Sequence, residues 1–480
     1  MNLFKDPSSL SDAYLLQLFN LQRENVESID IAHKPDGLYA TIKLIQEPQI
    51  CPVCEFQTTT VKDYTTKKIV HSLITHTPCF INYKARRYKC PACSKTFYEH
   101  NPFSYKNMKI SSLTVYNVLS DLKKATETFK TVSDRYHISP TTVAALFDAH
   151  ISISRRLLPR YLCIDEVYAF KSDRSNYVCV LVDYTTGATV DLLPSRIKED
   201  LLKYLSFIPL EERKKVEIIS IDMWETYRCV AKEKFPSAVV AVDKFHILQE
   251  MHRKMDTIRI RVMNRSKPPE IKDKRKLTSQ ERFDYDLKDK QYYLLKKFHW
   301  LLFKNEESMK KRVDGKDINL LDPNYERRYN KKMKRHLNFY DILDMILHID
   351  DDLLKLYNLK YKMDQFYRKC TYEKAKKELN QIIIEFRESG LVEMVAFSDT
   401  LVRWKQEIIN SFIIVDEKNN KKLNNGIIEN RNKVIKQLKH NSNGYKNWER
   451  FRNRTLYVLN EDATFRLNPL NDKRPSQRKK

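Results

Sequence analysis

Four β-branched, apolar, strand-length runs fall between residues 160 and 250: "RYLCIDEVYAF", "YVCVLVDYTTGATVDLLPS", "KVEIISIDMWETY" and "AVVAVDKFHIL". They alternate with one helical stretch at 198–208 and another that starts near Trp224. A hairpin turning at Thr186–Gly187, followed by strand–helix–strand, predicts an α/β sheet. From about 251 to 415 the strand signals vanish and apolar faces recur at helical spacing, as in "YYLLKKFHWLLFKN" and "LLKLYNLKYKMDQFYRKC". Residues 416–460 read as one more helical unit, and "NDKRPSQRKK" as a disordered basic tail.

A chain of 480 residues is too long for one ordinary core and is expected to hold two to four domains. The formal net charge is +25, a surplus that points to a polyanionic partner, nucleic acid before anionic membrane. The competing source is Lys-rich, Gly-poor usage from an AT-rich genome. Part of the charge is patterned: residues 251–276 hold ten Lys/Arg against three acids, and 325–336 hold six against one. Apolar runs fall short of the roughly 20 residues of a membrane span, and "MNLFKDPSSLSDAYLL" lacks a signal-peptide pattern. These readings predict a cytoplasmic, nucleoid-associated protein.

Nine scattered cysteines argue against a disulfide framework. Four of them form "CPVC" (Cys51, Cys54) and "CPAC" (Cys90, Cys93), two knuckles that suit one structural Zn²⁺. A short helix, "SSLSDAYLLQLFNL", and a strand, "GLYATIKLI", precede them. Strand-like "KIVHSLI" and "INYKARRYKC" lie between them, as in a zinc ribbon. Lys84, Arg86, Arg87 and Lys89 beside the second knuckle point to DNA contact, with a purely stiffening role as the alternative. Next, "SLTVYNVLSDLKKA", "TFKTVSDRYHIS" and "PTTVAALFDAHI" suit a helix-turn-helix, with a turn at His137–Ser139 and Pro140 opening the last helix. Thr141 and Thr142 would then begin the recognition helix; trihelical packing without a DNA role is the other reading.

Asp165 and Asp222 end apolar strands, where open α/β sheets bind ligands. Two such acids close together repel unless cations lie between them. Magnesium fits hard oxygen ligands, and two ions roughly 3.5–4 Å apart clamp the attacking and leaving oxygens of a phosphodiester. That arrangement needs a third carboxylate. Glu429, in "NNGIIENRNKVIKQLKH", shares a helix face with Asn432, Lys433, Lys436 and His440, which suits a metal end followed by a phosphate track. Glu166, Asp183, Asp191 and Asp243 also lie near strands and are stand-ins.

Together "CPVC…CPAC", "IDEVYAFKSDRSNYVCVLVDYTTGATVDLLPSR", "VEIISIDMWETYRCVAKEKFPSAVVAVDKFHILQ" and "NNGIIENRNKVIKQLKHNSNGYKNWERFRNRTL" resemble the ISL-three family of DDE insertion-sequence transposases, over about residues 45–462. The resemblance implies an RNase H-like catalytic core interrupted by an all-helical insertion. It also implies DNA transposition with Mg²⁺ (or Mn²⁺), two ions per site, held by Asp165, Asp222 and Glu429. Water would cut the element end and free a 3′-OH that attacks target DNA. The acids lie 57 and then 207 positions apart, so the second gap requires an insertion. The family more often runs Gly-(Ile/Leu)-Asn after the Glu, which leaves Asn430 and Arg431 without a role. Trp224 and Tyr227 are read as packing, and His246 as either near the metals or in the core.

The domain reading is a zinc-binding module at 1–105, a helix-turn-helix at 106–156, the first part of the core at 157–250, a helical insertion at 251–415, the second part at 416–465 and a basic tail at 466–480. The predicted partner is double-stranded DNA, both element ends and target, bound by a homodimer or higher assembly. Besides the zinc module and the helix-turn-helix, Lys433, Lys436, Arg450, Arg452 and Arg454 are candidate DNA contacts. A catalytically silent DNA-binding regulator and a structure-specific nuclease are the alternative functions.

Overall fold

In the computed structural model, residues 16–72, 77–106, 108–270, 277–305, 307–313, 316–416, 421–422 and 426–469 are described. Most of the expected N-terminal helix and basic tail, and the end of "KIVHSLI", lie outside them.

In "YVCVLVD" every second residue faces one core and the rest face another. Cys179 and Leu181 join one apolar cluster, while Val178, Val180 and Val182 join a second. A strand apolar on both faces belongs in the middle of a layered sheet. It is β9 (Tyr177–Asp183), paired antiparallel to β8 (Tyr161–Tyr168) and β10 (Thr189–Leu193). β11 (Ile218–Ile221) and β12 (Val239–Val242) continue the sheet in parallel, giving the order β10-β9-β8-β11-β12.

Two helices that follow the insertion in sequence cover the second face of this sheet. Ile428 and Ile435 of one helix (Gly426–Asn441) and Phe451 and Leu456 of the next (Trp448–Leu459) pack against Val178, Val180 and Val182. The first face packs on the helices that interrupt the chain. A 22-residue helix, Lys244–Arg265, starts directly after β12 and buries Ile247, Met251, Met255, Ile258 and Val262 along one stripe. It runs unbroken across the boundary expected at 250.

The insertion is not all-helical. Beside its helices, among them Ser279–Lys297, Phe339–Leu347 and Asp351–Lys369, it carries two antiparallel hairpins. They are β13 (Lys310–Val313) with β14 (Lys316–Asn319), and β15 (Arg328–Asn330) with β16 (Arg335–Leu337). Strands of three or four residues, such as "KKRV" and "RHL", lack the apolar alternation that signals a half-buried strand.

At the N-terminal end, β1 (Val26–Lys34), β2 (Gly37–Leu44), β6 (Cys79–Lys89) and β5 (Val61–Val70) pair in that order, and β7 (Thr96–Tyr98) adds to β6. Ala40, Ile42, Ile81 and Tyr83 make its core. Three short helices follow, α1 (Ser112–Asp121), α2 (Phe129–Tyr136) and α3 (Pro140–His150). Thr128 and Ser139 cap α2 and α3 through their side chains, and His137 takes the left-handed conformation between them (φ 54°).

Candidate active site and zinc site

Strand register brings the first two acids together. β11 pairs with β8 so that Ser220 lies beside Cys163. Two residues further on come Asp222, just past the end of β11, and Asp165, which lies within β8 paired with Val180 and not at the strand's end as expected. Asp165, Glu166 and Asp222 each offer a carboxylate oxygen within 4.8 Å of the others. Arg196 neutralises part of this charge through a 2.7 Å ion pair with Glu166. Its guanidinium is sandwiched between Tyr177 (3.9 Å) and Trp224 (4.7 Å). Glu166 Oε2 and Asp222 Oδ1 are buried with no hydrogen-bond partner among the described residues. Burial pushes the Asp165 carboxyl up to about 7, with the Glu166 amide and Asn432 opposing and the Glu166 charge adding. Burial, then the charges of Glu166 and Asp165, push Asp222 up to about 8. This is a pocket short of positive charge, and its hard oxygen donors fit Mg²⁺ or Mn²⁺.

Glu429 stands in the first turn of the helix Gly426–Asn441, exposed and outside this tight cluster. One turn on, Asn432 Nδ2 donates to Asp165 Oδ2 at 2.8 Å, which docks the helix beside the acids. The negative charge of Glu429 is felt at Asp165 and at the buried Asp243. The helix face expected to be uniform is split, with Asn432 buried against the sheet and Lys433, Lys436 and His440 exposed. Lys436 and His440, with Lys439 stacked on Tyr168 (3.9 Å), line an open cleft of about 440 Å³. Of the stand-ins, Asp191 is engaged by Tyr204 and Arg452, and Asp183 caps the turn at Thr185 and Thr186. Asp243 is held up by burial, and its neighbour His246 opposes that rise. Arg431, for which the sequence offered no role, donates from Nε to the Gly187 carbonyl (2.7 Å) and ties this helix to the β9–β10 turn. Gly187 has φ +72°, and a Cβ there would meet the Arg431 guanidinium at 3.1 Å.

The four cysteines converge as well. Their sulfurs lie within 4.8 Å of one another, with Cys54–Cys93 at 3.4 Å, Cys54–Cys90 at 3.5 Å and Cys51–Cys93 at 3.6 Å. A tetrahedral zinc with bonds of about 2.3 Å sets its sulfurs roughly 3.8 Å apart. The two knuckles share a backbone design. Glu55 and Ser94, each just after the second cysteine, have φ near 60° (58° and 59°). Their amides donate to the carbonyls of Cys51 (3.0 Å) and Cys90 (2.9 Å).

The family comparison agrees with both centres. An ISL3-type DDE family model described as Transposase matches residues 162–455, and one described as the zinc-finger of transposase IS204/IS1001/IS1096/IS1165 matches residues 47–93. The chain belongs to the ISL3 family of DDE transposases. No curated protein matches it. Among the described residues, no helix is long and apolar enough to cross a membrane.

For a transposase, the surprise lies in where several expected DNA contacts sit. Arg86 is 1% exposed and lies between Glu27 (2.7 Å) and Glu99 (3.4 Å), so the expected contact there is withdrawn. Arg452 is bound to Asp191 (2.7 Å) and the Ile153 carbonyl (2.9 Å), and is likewise structural. Arg454 is 1% exposed, its guanidinium caps the carbonyls of Leu122, Lys124 and Glu127, and burial lowers its pKa to about 10. These arginines join strands and helices because each meets carboxylates or helix-end carbonyls that need a donor. Arg450 is held at the surface by Asp148 (2.6 Å), and Arg87 by Asp63 (2.7 Å). Thr141, Lys433 and Lys436 are exposed, and Thr142 is half-buried. Tyr227 is fully buried and stacks edge-on with Trp224 (4.7 Å), as packing residues do.

Proposed function

We propose that this transposase binds the terminal inverted repeats of its own element and catalyses strand cleavage and strand transfer there. The observation that supports it is the pair of buried carboxylates Asp165 and Asp222, side by side where β11 ends beside β8, with Asn432 bracing one of them. Asp165 and Asp222 would hold the divalent ions and Glu429, on a helix already docked beside them, would complete the set once DNA draws its side chain inward. Bound magnesium supplies charge neutralisation at the attacking and leaving oxygens of a phosphodiester. Arg196 restrains Glu166 and offsets part of the repulsion within the acid cluster. In this reading α1–α3 form a helix-turn-helix, with Thr141 and Thr142 at its reading edge and the zinc module adding contacts through Arg87. Lys433, Lys436 and Arg450 would lie along the phosphate backbone, and two protomers would hold the two ends.

The test is strand cleavage of DNA carrying the gene's own flanking ends, with Mg²⁺. Nicks at the element boundary are expected from the wild type, and losses of at least about 10³-fold from Asp165→Asn, Asp222→Asn and Glu429→Gln, each still binding DNA. Binding without cleavage by the wild type would leave a DNA-binding regulator.

A further inference from the structure

The two hairpins of the insertion, the end of the helix Ser279–Lys297 and the start of the helix Phe339–Leu347 enclose a groove of about 710 Å³, the size of a small-molecule site. Its walls include the rings of Tyr293, Phe298, Tyr325, Tyr329 and Phe339. Five of its lining side chains are Lys or Arg and one, Glu326, is acidic. Two of those cations are engaged, Lys332 with Asp289 and Arg328 with Glu326 at 3.6 Å. Lys297, Lys311 and Lys331 form no ion pair among the described residues. Lys297 instead donates to the Tyr293 hydroxyl (3.3 Å) and lies 5.3 Å from the Tyr293 ring and 5.5 Å from the Phe298 ring.

The groove is built to keep its shape. Asn338 is buried, caps its helix and donates to the carbonyls of Tyr325 (3.0 Å) and Pro323 (3.1 Å), which holds the loop bearing Tyr325. Tyr329, by contrast, projects from β15 with 57% of its surface exposed. An exposed ring, Tyr329, beside Lys311 and Lys331, which form no ion pair among the described residues, suits a ligand that is flat and apolar at one part and anionic at the next.

We propose that this groove binds an unpaired stretch of DNA. A base stacks among the tyrosines while Lys297, Lys311 and Lys331 take the flanking phosphates. Paired bases show their edges and phosphates but not their faces, so a duplex would use the lysines and leave the rings idle. The choice of DNA as the polyanion rests on the transposition reading.

The experiment uses the full chain and two probes, an oligo-dT strand containing one 2-aminopurine and a duplex of equal length. Wild type should quench the 2-aminopurine through stacking. Tyr329→Ala should weaken single-strand binding about tenfold and lose the quench, as base–aromatic contacts do elsewhere, while Tyr329→Phe retains both and duplex affinity stays put. Lys331→Ala should lower the slope of log affinity against log salt by about 0.7. Unchanged single-strand affinity in Tyr329→Ala would overturn the proposal. An equal loss on both probes would overturn it in favour of a plain electrostatic patch, and a changed sedimentation of the DNA-free variant in favour of a surface for a second copy. The assay needs no cleavage, so failure of the transposition chemistry and failure of the groove are read separately.

Discussion

The zinc site and the proposed magnesium site of this transposase are assembled by opposite routes. The cysteine site takes its ligands from two short knuckles with matching backbone turns, and all four sulfurs already converge. The carboxylate site takes Asp165 and Asp222 from neighbouring strands, while Glu429 arrives from a helix 207 positions after Asp222 and stays exposed at the rim. Local turns make a site whose geometry hardly depends on the rest of the fold. Long-range packing makes one whose last ligand can be moved by whatever the helix touches, which suits a site that should act only on bound DNA.

The largest effect should come from breaking the local site. Thiolate–zinc sites of this kind contribute on the order of 10 kcal/mol to ordering their own peptides. Chelation, or Cys90→Ser, should therefore release one zinc per chain by metal analysis and open the knuckles at 51–55 and 90–94 to protease. The sheet core at Ile42, Ile81 and Tyr83 has its own apolar contacts and should persist. Zinc near zero in gently purified protein would remove the contrast altogether.

The same contrast explains what could be read in advance. Cys-x-x-Cys spacing is a local signal, and a strand buried on both faces, such as β9, announces itself by an unbroken apolar run. Asp165 and Asp222 were legible because each follows an apolar run, although β8 continues past Asp165 to Tyr168. The short hairpins β13–β14 and β15–β16 carry almost no apolar pattern, so they were missed. β1 was missed too, although "HKPDGLY" holds a Pro-Asp-Gly turn signal and Gly37 takes φ +144° there. Arg86, Arg452 and Arg454 were misread because sequence shows charge but not burial. Their partners Glu27, Asp191 and the Leu122 carbonyl lie 59, 261 and 332 positions away. Arg431 had a role that only its distant partner, Gly187, could reveal.

A smaller effect should appear at the carboxylates when pH is varied without DNA. Both carboxyls titrate near 4 in the unfolded chain, but at about 7 (Asp165) and about 8 (Asp222) in the folded one. The folded state thus binds more protons, so stability present at low pH is lost as pH rises through the folded values. That loss is on the order of 4–5 kcal/mol per carboxyl. Without Mg²⁺ the melting temperature should fall from about pH 4 to about pH 8 and level off above the folded values. Mg²⁺ should restore it most at the alkaline end, and Asp222→Asn should flatten the fall. A melting temperature that stays level over this range would mean that the acids are already neutralised by the protein itself.

The smallest effect is the one that separates the late ligand from the early ones. Glu429 is exposed, where solvent and salt screen its charge. Glu429→Gln should therefore change the Mg²⁺ dependence of melting in DNA-free protein by less than about twofold. Asp222→Asn should weaken it at least about tenfold, since it removes a buried ligand from the cluster. Glu166→Gln should fall between the two, because Arg196 competes with the cation for that carboxylate. Adding end DNA should then make Glu429→Gln as damaging as Asp222→Asn, measured as metal affinity in the complex. If Glu429→Gln already weakens Mg²⁺ binding tenfold without DNA, its helix is closed over the acids from the start, and DNA would have no part in completing the site.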